Sequence, residues 1–271
     1  MRVVAVVQAR VGSTRLPGKV MLPLRGRPLL QRMVERVRAA SMIDEVVVAT
    51  TTLSEDEPIR NLCRKTGVPV YSGHPTDLLD RHYRAALARD ADAVAKIPSD
   101  CPLIDPAVID RVICRFRDLS AGAGIDFVSN LHPATYPDGN DVEVMPTAVL
   151  RTAWIEAVRG FEREHTTPFI WDDPERFRTD NVTWQSGRNF SMSHRFTIDY
   201  PDDYRFVSCV YERLHEEGAA PFTLDAILAL IEAEPQIYRF NAHLAGVNWY
   251  RKHIGDLQTV GCHETVMFDG A

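Results

Sequence analysis

At 271 residues and 30.5 kDa, the chain is long enough for one large domain or two small ones and too long for a peptide-scale module. Apolar residues make up 45% and charged residues 25%, ordinary proportions that exclude a mainly disordered protein. With 31 basic against 37 acidic side chains the formal net charge is −6, which argues against a surface that tracks nucleic-acid phosphates and leaves room for a small anion site.

No apolar run approaches the roughly 20 residues that span a bilayer, so no membrane insertion is expected. Met1–Arg10 holds only a short apolar stretch, well under a secretory core of about 7–15 residues. Cys63, Cys101, Cys114, Cys209 and Cys262 are odd in number, scattered and never in CxxC spacing. That pattern argues against a zinc knuckle or a disulfide framework and predicts packed, reduced thiols in a cytoplasmic protein.

Val3–Val7 is a continuous β-branched run, the pattern of a strand covered on both faces. Pro28 opens a helix whose apolar face is Leu29, Leu30, Met33, Val34 and Val37. Glu45–Thr51 predicts a second buried strand. Glu55–Lys65 predicts a helix ended by Gly67, with a short strand at Val68–Tyr71. A helix over Asp77–Arg89, a strand over Ala91–Ile97, a helix over Pro106–Leu119 and a strand over Ile125–Ser129 continue the alternation. Strand and helix alternating at this spacing predict an α/β fold, a Rossmann-like doubly wound, mainly parallel sheet.

The rhythm changes over about 131–195. His132–Asn140 is turn-rich, Asp141–Met145 alternates like a strand, and Thr147–Arg159 and Arg163–Trp171 read as helices before polar strand-like segments through Trp184. The stretch reads as an insertion on the sheet edge. A strand over Phe196–Ile198 and helices over Pro201–Glu217 and Leu224–Glu234 then close a single domain over 1–255. Residues 256–271 lack periodicity and are expected to be a loose tail.

Three segments carry chemistry. The first strand runs into Gln8-Ala9-Arg10-Val11-Gly12-Ser13-Thr14-Arg15-Leu16-Pro17-Gly18-Lys19, at the carboxyl edge where such sheets bind ligands. Gly12 and Gly18 let the backbone turn its amides inward, and Arg10, Arg15 and Lys19 add cations suited to several phosphate charges. The loop is neither GxxxxGK[ST] nor GxGxxG. Next, Asp100 follows a strand in the turn Pro98-Ser99-Asp100-Cys101-Pro102, a place and type suited to a magnesium–triphosphate complex. Asp105, before Pro106, reads as a helix cap. Third, Asp199 lies between Ile198 and a helix opened by Pro201. It serves equally as an N-cap or as a second carboxylate on the same metal, while Asp202 and Asp203 read as first-turn charges.

Together these segments resemble the cytidylyltransferases that activate acidic sugars, the family of the CMP-3-deoxy-octulosonate and CMP-acylneuraminate synthetases. The match lies in ARVGSTRLPGK, and SDCPLID, YPDGNDVEV, REHTTPFIW and RFTIDYPDD resemble its spore-coat polysaccharide branch, so the resemblance covers roughly 1–240. It implies a nucleotidyltransferase sheet whose insertion forms a homodimer contact. It also implies transfer of CMP from CTP to a small acidic acceptor with release of pyrophosphate. Carried onto matching positions, Arg10, Ser13 and Lys19 would hold the phosphates, and Asp100 and Asp199 would bind Mg2+. Arg10, Lys19 and Asp100 are then the catalytic candidates. Asp199 is the candidate for a general base, if a metal-lowered hydroxyl pKa does not make one unnecessary.

The pyrimidine pocket is implied to involve the backbone at Ala9 together with Asp80 and Arg81, although a solvated helix N-terminus explains the latter two as well. On the acceptor side, Asp138, Asn140, Asp141 and Glu143 are placed to read hydroxyls, and Arg163 with His165 to read an anionic group. A lone histidine in a helix is more often a packed or surface residue, which is the other account of His165. Trp154, Trp171, Trp184 and Trp249 read as core or subunit-contact anchors. The insertion lacks the patterns of the octulosonate and neuraminate enzymes themselves, so a phosphonate or a sugar or polyol phosphate is the alternative acceptor. A non-catalytic nucleotide- or sugar-binding protein is the alternative of another class.

Overall fold

The computed structural model describes residues 1–122 and 124–267. In chain order it contains β1 (Val3–Gln8), the hairpin β2 (Pro23–Leu24) and β3 (Arg27–Pro28), α1 (Leu29–Arg38), β4 (Glu45–Thr51), α2 (Glu57–Thr66), β5 (Val70–Gly73), α3 (Leu78–Leu87), β6 (Ala93–Pro98) and α4 (Pro106–Ser120). These are followed by β7 (Phe127–Ser129), β8 (Glu143–Pro146), α5 (Thr147–Glu156), α6 (Gly160–His165), α7 (Pro168–Trp171), β9 (Thr179–Asn181), α8 (Pro201–Leu214), α9 (Leu224–Ala233) and α10 (Pro235–Tyr238). Gly67 ends α2 as expected, at φ 63°, with its amide on the Cys63 carbonyl.

One seven-stranded sheet has the order β5-β4-β1-β6-β8-β7-β9. The first four are parallel, β8 is antiparallel to both its neighbours, and β9 is parallel to β7. The period of two splits β1 cleanly: Val3, Ala5 and Val7 pack with α1, α4 and α8, whereas Val4 and Val6 pack with α3, α5 and α7. From β1 the chain moves outward to β4 and β5, then returns to β6 on the other side of β1. That reversal creates a crevice between the carboxyl ends of β1 and β6, where Gln8 and Pro98 are register partners.

Three expectations change. The 131–195 stretch is not confined to the sheet edge, because β8 threads between β6 and β7. Residues 196–198 form no strand; their amides go to two loops instead, Phe196 to the Asp138 carbonyl at 2.7 Å and Ile198 to the Asp100 carbonyl at 2.8 Å. Gly139, at φ 101°, permits this contact, since a Cβ there would meet the Phe196 backbone at 2.7 Å. Residues 256–267, read as part of a loose tail, are held against the body. Leu257 and Val260 are buried, and the amides of Gln258 and Thr259 bond Asp172.

Candidate active site

The loop after β1 is pinned at both ends. The Ala9 amide donates to the Ala49 carbonyl at 3.0 Å, and the Val11 amide to Asp56 Oδ1 at 2.7 Å. Asp56 is fully buried and also accepts from the Thr51 hydroxyl. Gly18, at φ 69°, returns its amide to the Val11 carbonyl at 3.1 Å, so the loop closes and delivers Lys19 on a single 3-10 turn. Gly12 does not use its left-handed freedom.

Lys19 is the hub. Its ammonium donates to Asp100 Oδ2 at 2.9 Å, Asp199 Oδ1 at 2.9 Å and the Ile198 carbonyl at 2.7 Å. Those acceptors take all three of its N–H groups. Burial opposes its charge, but Asp100 and Asp199 together outweigh burial and raise its pKa. Asp199 is further gripped by Arg15 at 2.7 Å and by Arg195 at 3.2 Å. Burial would raise the Asp199 pKa, yet the attraction of Lys19, Arg15 and Arg195 wins and lowers it to about 2. Asp199 is therefore not the N-cap of α8, a position Tyr200 holds. A carboxylate held that low is also poorly matched to act as a general base near neutrality.

Behind Asp199 stands a buried ionic layer that the sequence did not reveal. Arg195 bonds Asp203 at 2.9 Å, Asp138 at 3.3 Å and the Val247 carbonyl at 2.7 Å. Asp203, read as a first-turn charge, does lie in the first turn of α8, but it is fully buried and accepts from the amides of Asp199 at 2.9 Å and Tyr200 at 3.0 Å. Asn241 joins Asp203 at 2.9 Å and the Arg195 carbonyl at 2.8 Å. The only sequence signal of this layer was Asp203 at the third position of the helix that Pro201 opens, which reads equally well as a dipole charge.

These groups border a cleft of about 940 Å3 whose lining includes Ala9, Arg10, Gly12, Ser13, Arg15, Lys19, Arg81, Asp100 and Asp199. Arg10 is exposed there. Arg81 is only 1% exposed, and its Nε and one terminal nitrogen have no hydrogen-bond partner. Burial first, and the nearby Arg10 charge second, lower its pKa to about 10. A buried guanidinium left in that state is costly, and an anionic or carbonyl-bearing ligand would satisfy it.

Asp80 is not brought to the cleft; it accepts from Trp154 Nε1 and Arg84 Nε, each at 2.8 Å. Arg163 is likewise diverted, bonding Asp77 at 2.6 Å and the Trp154 carbonyl at 2.8 Å. Asn140 braces the Asp105 amide at 3.1 Å.

Asp138, Asp141, Glu143 and His165 do line the cleft. Glu143 pairs with Lys96 and accepts from the Thr167 hydroxyl at 2.5 Å. Burial is the main force raising the Asp141 pKa to about 6, against the Gly139 amide that bonds it. His165 stacks on Trp249 with ring centroids 3.8 Å apart, and Trp249 and Trp171 border the cleft rather than serving solely as core anchors.

A mainly parallel sheet presenting a cation-bearing loop and two acidic turns at its switch point defines a nucleotidyltransferase. A family model described as cytidylyltransferase matches residues 4–241. The chain belongs to the cytidylyltransferase family.

It is 31% identical to the solved structure of a cytidylyltransferase from Leptospira borgpetersenii, with a TM-score of 0.79, covering 88% of this chain and 97% of that one. It is 30% identical over 217 residues to the spore coat polysaccharide biosynthesis protein SpsF of Bacillus subtilis, covering 78% of this chain and 87% of the relative. A 3-deoxy-manno-octulosonate cytidylyltransferase of Zea mays is 34% identical over 154 residues, 52% of this chain and 48% of that protein. Among the described residues no helix is long and apolar enough to cross a membrane.

Proposed function

We propose that the protein joins CMP from CTP to an acidic sugar in a magnesium-dependent reaction that releases pyrophosphate, for assembly of a surface polysaccharide. The observation that carries this reading is the convergence of Asp100 and Asp199 on the ammonium of Lys19 under the loop 9–18. The Bacillus subtilis and Zea mays relatives support the pathway and the acidic acceptor.

In this reaction an acceptor hydroxyl oxygen bonds to the α-phosphorus of CTP, the bond from that phosphorus to the β-phosphate bridge breaks, and the hydroxyl proton is lost. Negative charge grows on the phosphates, so fixed cations and in-line placement do most of the work. Lys19 transfers N–H groups from its internal acceptors to phosphate oxygens, while Arg10, Ser13 and Arg15 orient the chain of phosphates. Arg81 meets the nucleotide with its unpaired guanidinium, beside the backbone at Ala9. Asp141, whose pKa burial raises to about 6, suits proton acceptance better than Asp199, which its cationic neighbours hold low.

The donor set fits magnesium. Among the described residues no three His, Cys, Asp or Glu side chains converge as a metal site, so Asp100 and Asp199 would hold the ion jointly with phosphate oxygens and water. Bound there, it would neutralise charge on the phosphates.

Pyrophosphate release, measured with each nucleoside triphosphate against acidic sugars, sugar phosphates and phosphonates, tests the reading. Release is expected with CTP and an acidic sugar. Release only with phosphorylated or phosphonate acceptors contradicts the acceptor assignment, and no release with CTP and any acceptor contradicts the reading as a whole.

A further inference from the structure

The family match ends at residue 241, but the cleft does not. Val247, Asn248, Trp249, Tyr250, His253 and Glu264 also line it. This segment is fastened in place. Asn248 donates to the Glu264 carbonyl at 2.7 Å, the Val266 amide to the Gly246 carbonyl at 2.8 Å, and the Gln258 and Thr259 amides to Asp172 at 2.9 and 2.8 Å. The Val247 carbonyl accepts from Arg195, the same guanidinium that braces Asp199. Tyr250 lines the same cleft as Asp141 and Glu143, its ring held 4.7 Å from Trp249 and 6.1 Å from Trp171, centroid to centroid.

We propose, resting on the reading above, that residues 246–264 form the wall that selects the acceptor, with Tyr250, Asp141 and Glu143 reading a hydroxyl-bearing face of it. Arg10, Arg15, Lys19 and Arg81 line the part of the cleft suited to a triphosphate, while Asp141 and Glu143, the latter paired with Lys96, line the same cleft together with Tyr250. Ionised carboxylates only accept hydrogen bonds, so a ligand beside them must bring donors. A phenol both donates and accepts and can complete a hydroxyl network between the two walls. Trp249, already stacked on His165, offers apolar ring surface for the C–H groups of a sugar.

Tyr250→Phe and Trp249→Ala test this, with pyrophosphate release from CTP read against the acceptor panel and CTP affinity read by calorimetry without acceptor. Tyr250→Phe is expected to raise the acceptor KM about tenfold, the loss of roughly one good hydrogen bond, with CTP affinity unmoved. An acceptor lacking the hydroxyl that Tyr250 reads should be used equally by wild type and variant. Should Trp249→Ala fail to fold, Tyr250→Phe, which keeps the ring, carries the test. A folded Tyr250→Phe protein with wild-type KM for every acceptor overturns the proposal, as does a parallel loss of CTP affinity, which would mark a structural role. If wild type itself releases no pyrophosphate, the functional reading falls and takes this proposal with it.

Discussion

Arg81 carries a conflict between stability and binding. A guanidinium that is buried without a full set of partners destabilises the free protein, and the same unsatisfied N–H groups are what a ligand would engage. Arg81→Met should therefore raise the melting temperature while weakening CTP at least about tenfold, or about 1.4 kcal/mol. Thermal shift and calorimetry on the same sample check both halves. Asp141 gives a pH signature. Its folded pKa of about 6 lies above the unfolded value of 3.8, so the folded state binds the extra proton between the two. Stability from this group is present below about 4 and is lost as pH rises through about 6. Asp141→Asn should melt higher than wild type at pH 7.5 in metal-free buffer, with the gain vanishing near pH 4. A gain that persists at low pH would contradict the assignment.

Among the elements, α4 and α9 share one carboxylate. Asp105 caps α4 through the Ala107 amide at 2.8 Å and also accepts the buried Leu224 amide at 2.6 Å. The first contact was legible from Asp before Pro106; the second joins residues 119 apart and was not. Asp105→Ala should cost about 2–4 kcal/mol, a lost cap plus an orphaned buried amide, measurable by urea denaturation. Strands covered on both faces, proline-opened helices and the glycine stop at Gly67 were readable because each is local chemistry. The place of β8 inside the sheet, and the capture of 196–198 by two loops, were not. Their partners lie far away in sequence, and short segments of three or four residues leave little periodicity to read.

For the molecule as a whole, the same division decides what was legible at the site. Residues of the loop 9–18 and Asp100 announce themselves by charge placed after strands, and Asp199 by a carboxylate between an apolar run and a proline-opened helix, although that run forms no strand. Arg195, Asp203 and the 246–264 wall acquire meaning only when distant segments meet. Burial also shapes the response to acid. His82 is fully buried, and burial lowers its pKa to about 3 from 6.5, so the unfolded chain takes up a proton in that window while the folded protein does not. Stability from this group is full above about 6.5 and is lost as pH falls, on the order of 2 kcal/mol by pH 5. His82→Asn should flatten that part of the stability curve; an unchanged slope would contradict the account.

The central claim is that Lys19, Asp100 and Asp199 form one site for a triphosphate and its divalent cation. In the free protein Lys19 occupies the carboxylate oxygens that the cation needs, so nucleotide and metal should bind together. Electron paramagnetic resonance of Mn2+, titrated with and without CTP, measures this directly. We predict weak binding of Mn2+ alone, tight binding once CTP is present, and loss of the CTP-dependent binding together with most turnover in a folded Asp100→Ala variant. Binding of Mn2+ that ignores CTP, or that survives Asp100→Ala unchanged, would contradict it.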